Sequence, residues 1–272
     1  MPSYFIMKAL FYYNKEDYSM ENSELNVIGT GMPTDKPKEE KKIKSEVVPL
    51  PSGHWVELRG MKTQEMDILA NKKQMKDGEG INDIAKNCIM ASSDGFDYDT
   101  ALQGDRYKII IFLRKITYSG PYEFEISECP ECGDKHEFRV NLDTLEEKKL
   151  DGRPTKDIEF KFPVCGVKIK YHLPTGTDEA EIIKVRKQYP DSTITLALMV
   201  YTDWIEGVKF KSLEWFRDLD AEDVLAFQED LDAHNCGLET TINLTCPFEK
   251  EEFEMELPIT KNFFLPKKAK KL

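Results

Sequence analysis

Apolar and polar positions alternate repeatedly along the second half of the chain. Tyr122, Phe124 and Ile126 alternate with Glu123 and Glu125, and Phe138 and Val140 continue the pattern. Ile158, Phe160 and Phe162 alternate with Glu159 and Lys161, and Val167, Ile169, Tyr171 and Leu173 follow after Pro163–Gly166. Period-two runs predict half-buried strands, and the last two predict a β-hairpin. Thr241–Leu244 and Phe253–Leu257 predict another strand pair around Cys246. Trp55 and Glu57 alternate with Val56 and Leu58 after the turn residues Leu50-Pro51-Ser52-Gly53.

The first half reads differently. Met66, Leu69 and Ala70 predict a helix from a capping Thr63 to Lys73, and Ile81, Ile84, Ala85 and Cys88 share one face of a helix over Ile81–Met90. A short helix is expected near Tyr98–Leu102. Tyr107–Ile116 reads as helix rather than strand because the run is long and Arg106, Lys108, Arg114 and Lys115 gather at its ends. Further on, Asp178–Tyr189 predicts a helix capped by Thr177. Asp220 opens another, with Val224, Phe227 and Leu231 as its apolar face. Ser192–Tyr201 fits strand or helix.

These elements give an α+β fold of mixed helices and antiparallel β-hairpins. Residues 1–48 read as an N-terminal arm with an apolar, aromatic stretch (Tyr4–Tyr13) and a polar linker (Thr34–Ser45). The linker carries too few apolar side chains to offset its ordering entropy. The body spans 49–266, with a helical part (49–120) and a β-rich part (121–266). Lys267, Lys268, Lys270 and Lys271 form a basic tail over 267–272.

Charge then narrows the function. With a net charge of −12 over 272 residues, the chain is a poor phosphate-backbone binder, so nucleic acid is disfavoured as a partner. No run reaches the roughly 18 apolar residues of a membrane span, so no stable membrane insertion is expected. Lys8 interrupts the first apolar stretch and no small-residue cleavage pattern follows, which argues against a signal peptide. The six cysteines are then expected to be reduced thiols, and a metal site is favoured over disulfides.

The sharpest chemical signal is Cys129-Pro130-Glu131-Cys132-Gly133, placed between two predicted strands. Two thiolates at that spacing can take adjacent corners of a tetrahedron, which makes a zinc-ribbon-like knuckle. Thr245-Cys246-Pro247-Phe248-Glu249 repeats the pattern, with Glu249 where a fourth cysteine would stand. The expected ligands of a structural zinc ion are therefore Cys129, Cys132 and Cys246, with Glu249 as the fourth and His136 as its alternative. An iron–sulfur cluster is a weaker option. Cys88 reads as core, Cys165 as part of a hairpin turn, and Cys236 as an outside candidate.

Catalytic patterns are missing from the sequence. There is no phosphate-binding loop, G-x-G-x-x-G fingerprint, G-x-S-x-G elbow or H-E-x-x-H. The four histidines (54, 136, 172, 234) show no evident partners, and His172 is expected to point outward from a strand. Asp97/Asp99 and Asp218/Asp220 are close pairs in a chain with 50 acidic residues, where chance supplies them. Asp105-Arg106 reads as a turn ion pair. No enzyme and no small-molecule substrate is expected.

The order of several short segments carries a resemblance. These are Leu50-Pro51-Ser52-Gly53, Val56–Met61, Leu102-Gln103-Gly104-Asp105-Arg106, Leu113-Arg114 with Tyr118, the first knuckle, Leu173–Glu179, Cys246-Pro247, and Leu257-Pro258 before Phe263-Phe264. From Val47 to Pro266 the chain resembles the baseplate hub components and hub-assembly proteins of tailed bacteriophages, the T-even type. Members of that family usually end in a second Cys-Pro-x-Cys knuckle, and Glu249 departs from it. The resemblance implies a virion tail baseplate protein assembled in the host cytoplasm, with other tail and hub proteins as partners. It implies no catalytic residues. The competing reading is a zinc-ribbon module contacting nucleic acid or polymerase, which the acidic residues around Cys129 disfavour.

Overall fold

The computed structural model describes residues 44–75 and 79–265. The aromatic segment Tyr4–Tyr13, most of the polar linker and the basic tail lie outside the described residues. The described fold starts with an antiparallel sheet of β1 (Ser45–Pro49), β2 (Trp55–Arg59) and β3 (Ile89–Ser92), in that order. β1 thus begins four residues before the expected body, because Val48 is buried and pairs with Val56. Gly53, at φ 97°, turns the chain between β1 and β2.

Three helices lie between β2 and β3. α1 is Thr63–Ala70, α2 is Lys72–Met75 and α3 is Glu79–Cys88. The single helix expected over Thr63–Lys73 is broken at Asn71, whose backbone is extended and whose side chain accepts from Lys73 N at 3.1 Å. Thr63 is not the cap; Lys62 is, and its N–H donates to Glu65 Oε2 at 2.7 Å. Glu65 is fully buried because Arg59 forks onto both its oxygens, at 3.0 and 3.1 Å. Burial pushes the Glu65 pKa up, but these hydrogen bonds prevail and hold it below the usual range.

α4 (Gln103–Thr117) is the central helix and confirms the helical reading of Tyr107–Ile116. It starts four residues earlier than the sequence suggested. Gln103, Asp105, Arg106 and Lys108 are polar yet buried, and the side chains of the last three are tied to tertiary groups. Ser52 N donates to Asp105 at 3.0 Å, Arg106 meets Glu179 at 2.6 Å, and Lys108 Nζ reaches both Glu147 oxygens at 2.8 Å. Asp105 and Arg106 therefore face different partners and form no turn ion pair. Tyr98–Leu102, expected to be helical, instead turns over 98–101 and bridges Thr175 at Leu102 before α4 begins.

The second half alternates hairpins and helices. β4 (Tyr122–Ile126) pairs with β5 (His136–Val140), and β7 (Ile158–Lys161) with β8 (Lys168–Tyr171), both as expected. β6 (Glu147–Lys148) lies between these hairpins. α5 (Gly176–Arg186) is capped by Thr175 rather than Thr177, in a capping box with Asp178. The Ser192–Tyr201 ambiguity resolves as α6 (Thr193–Tyr201), followed by β9 (Thr202–Ile205) on the edge of β8. α7 (Leu213–Arg217) and α8 (Ala221–His234) come next. β10 (Gly237–Leu238) pairs back onto β6, and β11 (Thr241–Thr245) pairs with β12 (Glu252–Glu256).

The buried side chains form two clusters. The first gathers Val48–Leu142 and Leu238–Phe264 around α4, and the second gathers Leu150–Cys236 around Phe227. Neither follows the expected division at 120/121. The second core is an insertion into the first, and β6 and β10 pair where the chain leaves and returns.

Candidate metal centre

Two hairpins carry the site. The β4–β5 turn is Cys129–Gly133 and the β11–β12 turn is Cys246–Lys250. Their backbones match. Cys129 N donates to Asp134 O at 2.9 Å, and Gly133 N to Cys129 O at 2.8 Å. Cys246 N donates to Glu251 O at 2.8 Å, and Lys250 N to Cys246 O at 3.0 Å. The fifth residue is left-handed in both, Gly133 at φ 75° and Lys250 at φ 66°. Glycine is the favoured residue there, and Lys250 adopts the shape without that freedom. The second turn has thus kept the knuckle conformation without its second cysteine.

The side chains converge. The ligand atoms of Cys129, Cys132, His136 and Cys246 all lie within 4.8 Å of one another. Cys132 Sγ is 3.0 Å from His136 Nε2. His136 reaches the group because it opens β5 opposite Ile126. Glu249 occupies the position equivalent to Cys132 but contributes no carboxylate oxygen to this group; its backbone N–H donates to Cys246 Sγ at 3.4 Å.

A tetrahedral zinc ion, about 2.3 Å from sulfur and about 2.0 Å from nitrogen, holds its ligand atoms about 3.6–3.8 Å apart. The observed group fits that size with small side-chain movements. Cys129 and Cys246 are buried, whereas Cys132 and His136 are partly exposed. Desolvation pushes the Cys246 thiol up, but hydrogen bonds from the Glu249 and Phe248 backbone N–H groups, with Cys132 and Cys129, carry it below its ordinary value. Cys132 accepts from the backbone at Asp134, which lowers its pKa, yet burial and the neighbouring sulfurs push it up to about 11. Backbone N–H groups aimed at sulfur stabilise thiolate, the form that binds metal. Four protein ligands fill a tetrahedron and leave no open position for water, so the arrangement suits a structural ion rather than a catalytic one.

The family of T4 bacteriophage base plate proteins matches residues 42–265. That span covers both cores and all four converging side chains. The chain belongs to this base plate family. No curated protein and no solved structure gives a significant match. Membership places the chain among phage tail baseplate components, a structural class. Among the described residues no helix is long and apolar enough to cross a membrane.

The other base plate segments singled out in the sequence meet at the boundary of the two cores. Gln103 N donates to Pro174 O at 2.8 Å, and Gly176 N to Ala101 O at 3.0 Å. A Cβ on Gly104 would overlap the Cys236 carbonyl oxygen, and one on Gly176 would overlap Arg106 and the Asp99 carbonyl. These glycines allow two backbones to touch. Cys88 and Cys236 are buried core thiols, as burial at 0% and 1% exposure shows, and burial pushes both up to about 12. Cys165 is exposed in the β7–β8 turn, whose N–H groups at Val164 and Cys165 donate to buried Asp223 at 2.7 and 3.1 Å.

The histidines all have partners, contrary to expectation. His54 Nδ1 lies 2.9 Å from Ser93 Oγ, and His234 Nδ1 lies 3.1 Å from Tyr171 Oη. His172 does not simply point into solvent: it sits between Asp203 at 2.8 Å and Asp178 at 3.1 Å.

Proposed function

We propose that this protein is a structural or assembly component of the phage baseplate hub, acting through contacts with other tail and hub proteins and without catalysis. We further propose that a structural zinc ion on Cys129, Cys132, Cys246 and His136 fixes the β4–β5 and β11–β12 hairpins to each other. The family match over residues 42–265 carries the first reading. Closure of the Cys3His group supports the second. The acidic side chains Glu128, Glu131, Asp134, Glu249 and Glu251 around the knuckles weigh against a nucleic-acid role.

Immunogold labelling of purified tails, together with mass spectrometry of isolated baseplates, tests the placement. Signal at the baseplate centre is expected, and a chain found only on tube or capsid refutes the hub assignment. Metal content tests the ligand set. His136→Ala is expected to lower zinc stoichiometry or affinity by about 10-fold or more, while Glu249→Ala leaves it unchanged. The reverse pattern would restore Glu249 as the fourth ligand.

A further inference from the structure

The second knuckle presents an aromatic ring that the fold does not use. Phe248 is 73% exposed, in a protein whose other phenylalanines in the same hairpins, Phe124, Phe138 and Phe253, are buried. The turn residues on both sides of it are held by hydrogen bonds. Cys246 N is bonded to Glu251 O, Lys250 N to Cys246 O, Glu249 N to Cys246 Sγ, and Lys250 Nζ to Pro247 O at 2.6 Å. The ring is therefore displayed from a fixed turn rather than trailing from a loose loop. The first knuckle carries Glu131 at the equivalent position.

The surroundings define what can cover it. Glu249, Glu251 and Glu252 flank Phe248 in its own hairpin, and Glu128, Glu131 and Asp134 are exposed on the neighbouring knuckle, with Lys250 the basic residue of the second turn. A desolvated aromatic inside a charged rim is the anatomy of an interface anchor: the ring supplies burial and the rim supplies orientation and steering. We infer that Phe248 is the anchor by which this protein docks on a tail protein that offers an apolar pocket rimmed by Lys and Arg. The inference rests on the baseplate reading and adds the surface and the chemistry of its partner. It also links the metal to the role, since the ion would fix the turn from which Phe248 projects.

Placing p-benzoylphenylalanine at position 248 of the full chain during phage assembly tests this, with photocross-linking and mass spectrometry of purified tails. Position 210, where Phe210 is 77% exposed on the other core, serves as the control. The expected result is a cross-link from 248, and not from 210, to an apolar residue in a tail-protein segment bearing several Lys or Arg. In the same particles Phe248→Ala should lower incorporation about 10-fold or more, with unchanged melting and zinc content. Incorporation without a 248-specific cross-link, or a cross-link to a segment lacking basic residues, overturns the anchor and leaves the baseplate role standing. Absence of the chain from tails overturns both.

Discussion

The two cores are built by opposite means. The inserted core is continuous in sequence, from Leu150 to Cys236, and is packed around one aromatic cluster. Phe227 lies 5.6 Å from Phe160, 5.0 Å from Tyr171 and 6.3 Å from Phe162 between ring centres. The outer core is discontinuous: residues before 143 and after 237 must meet across the insertion. It includes two separate two-stranded hairpins, β4–β5 and β11–β12. Two-stranded hairpins are marginal alone. One apolar tie between them is Phe138 on Phe253 at 5.9 Å, and a polar one runs from Tyr122 Oη, which donates to Pro258 O just beyond β12 at 2.8 Å. The cysteine group joins the turns of these two hairpins. A core closed by a long detour gains most from a cross-link, because the cross-link offsets loop-closure entropy.

The largest expected effect follows from that contrast. Cys129→Ser, or chelation of the wild type, should destabilise the outer core by several kcal/mol, since the binding free energy of the proposed ion would become folding free energy, which reaches about 10 kcal/mol in small zinc modules. Hydrogen exchange should show β4, β5, β11 and β12 losing protection while β7 and β8 keep theirs. Unchanged protection of the hairpins after metal removal would show that apolar packing alone closes the outer core.

Phe227→Ala should invert the pattern. Losing the central ring of the inserted core should cost about 3–5 kcal/mol, because the void is lined by three aromatic rings that cannot all collapse into it. Protection should fall first in β7, β8 and α8, with zinc content intact. Equal loss at both ends of the molecule would mean that the cores unfold as one unit.

This division was not legible in the sequence, although most elements were. The strands of β4, β5, β7, β8, β11 and β12 show themselves because one face is wet and the pattern has period two. α3 does so because Ile81, Ile84, Ala85 and Cys88 form one apolar stripe, all buried. The start of α4 was hidden because Gln103, Asp105, Arg106 and Lys108 look like surface residues, and the groups that partner the last three are distant in sequence. The nesting of one core in another was hidden for a similar reason: it depends on the two-residue pairing of β6 with β10, too short to leave a pattern. Within the site, the cysteines announced themselves by spacing. The choice between His136 and Glu249 depends on which side chain turns toward the sulfurs, and spacing carries no such information.

The junction offers a sharper test of how independent the cores are. Gly104 on α4 belongs to the outer core's central helix and touches the Cys236–Gly237 backbone at the exit of the inserted core. Gly104→Ala sets a methyl against backbone that side-chain rotation cannot move aside. A loss of about 1–3 kcal/mol is expected, the usual range for overpacking. Calorimetry should show the two cores separating into distinct transitions if this contact couples them. A single transition, merely shifted, would assign the coupling to the ion pairs Arg106–Glu179 and Lys108–Glu147 instead.

The smallest effect is a pH dependence confined to the inserted core. His172 lies between Asp178, in the α5 capping box, and Asp203 on β9, with the Tyr201 ring at 6.4 Å. The Asp178 hydrogen bond, helped by both acidic charges, raises the His172 pKa against the opposing effect of burial. Burial pushes Asp178 up, but its bonds to His172 and Thr175 outweigh that and hold it low. A raised histidine stabilises the fold fully below its unfolded value of about 6.5, and that stability is lost as pH climbs through the folded value. A lowered carboxylate acts in the opposite sense. Its contribution is present above about 3.9 and lost as pH falls through its folded value. The pair should therefore stabilise the inserted core most at mildly acidic pH, by about 1 kcal/mol, since the half-exposed Asp203 adds little through solvent screening. His172→Gln should flatten the fall in denaturant midpoint above pH about 6.5. It should leave the outer core, which lacks this histidine, titrating as before. If the slope survives the substitution, the pH dependence belongs to other groups and the comparison of the two cores loses its electrostatic half.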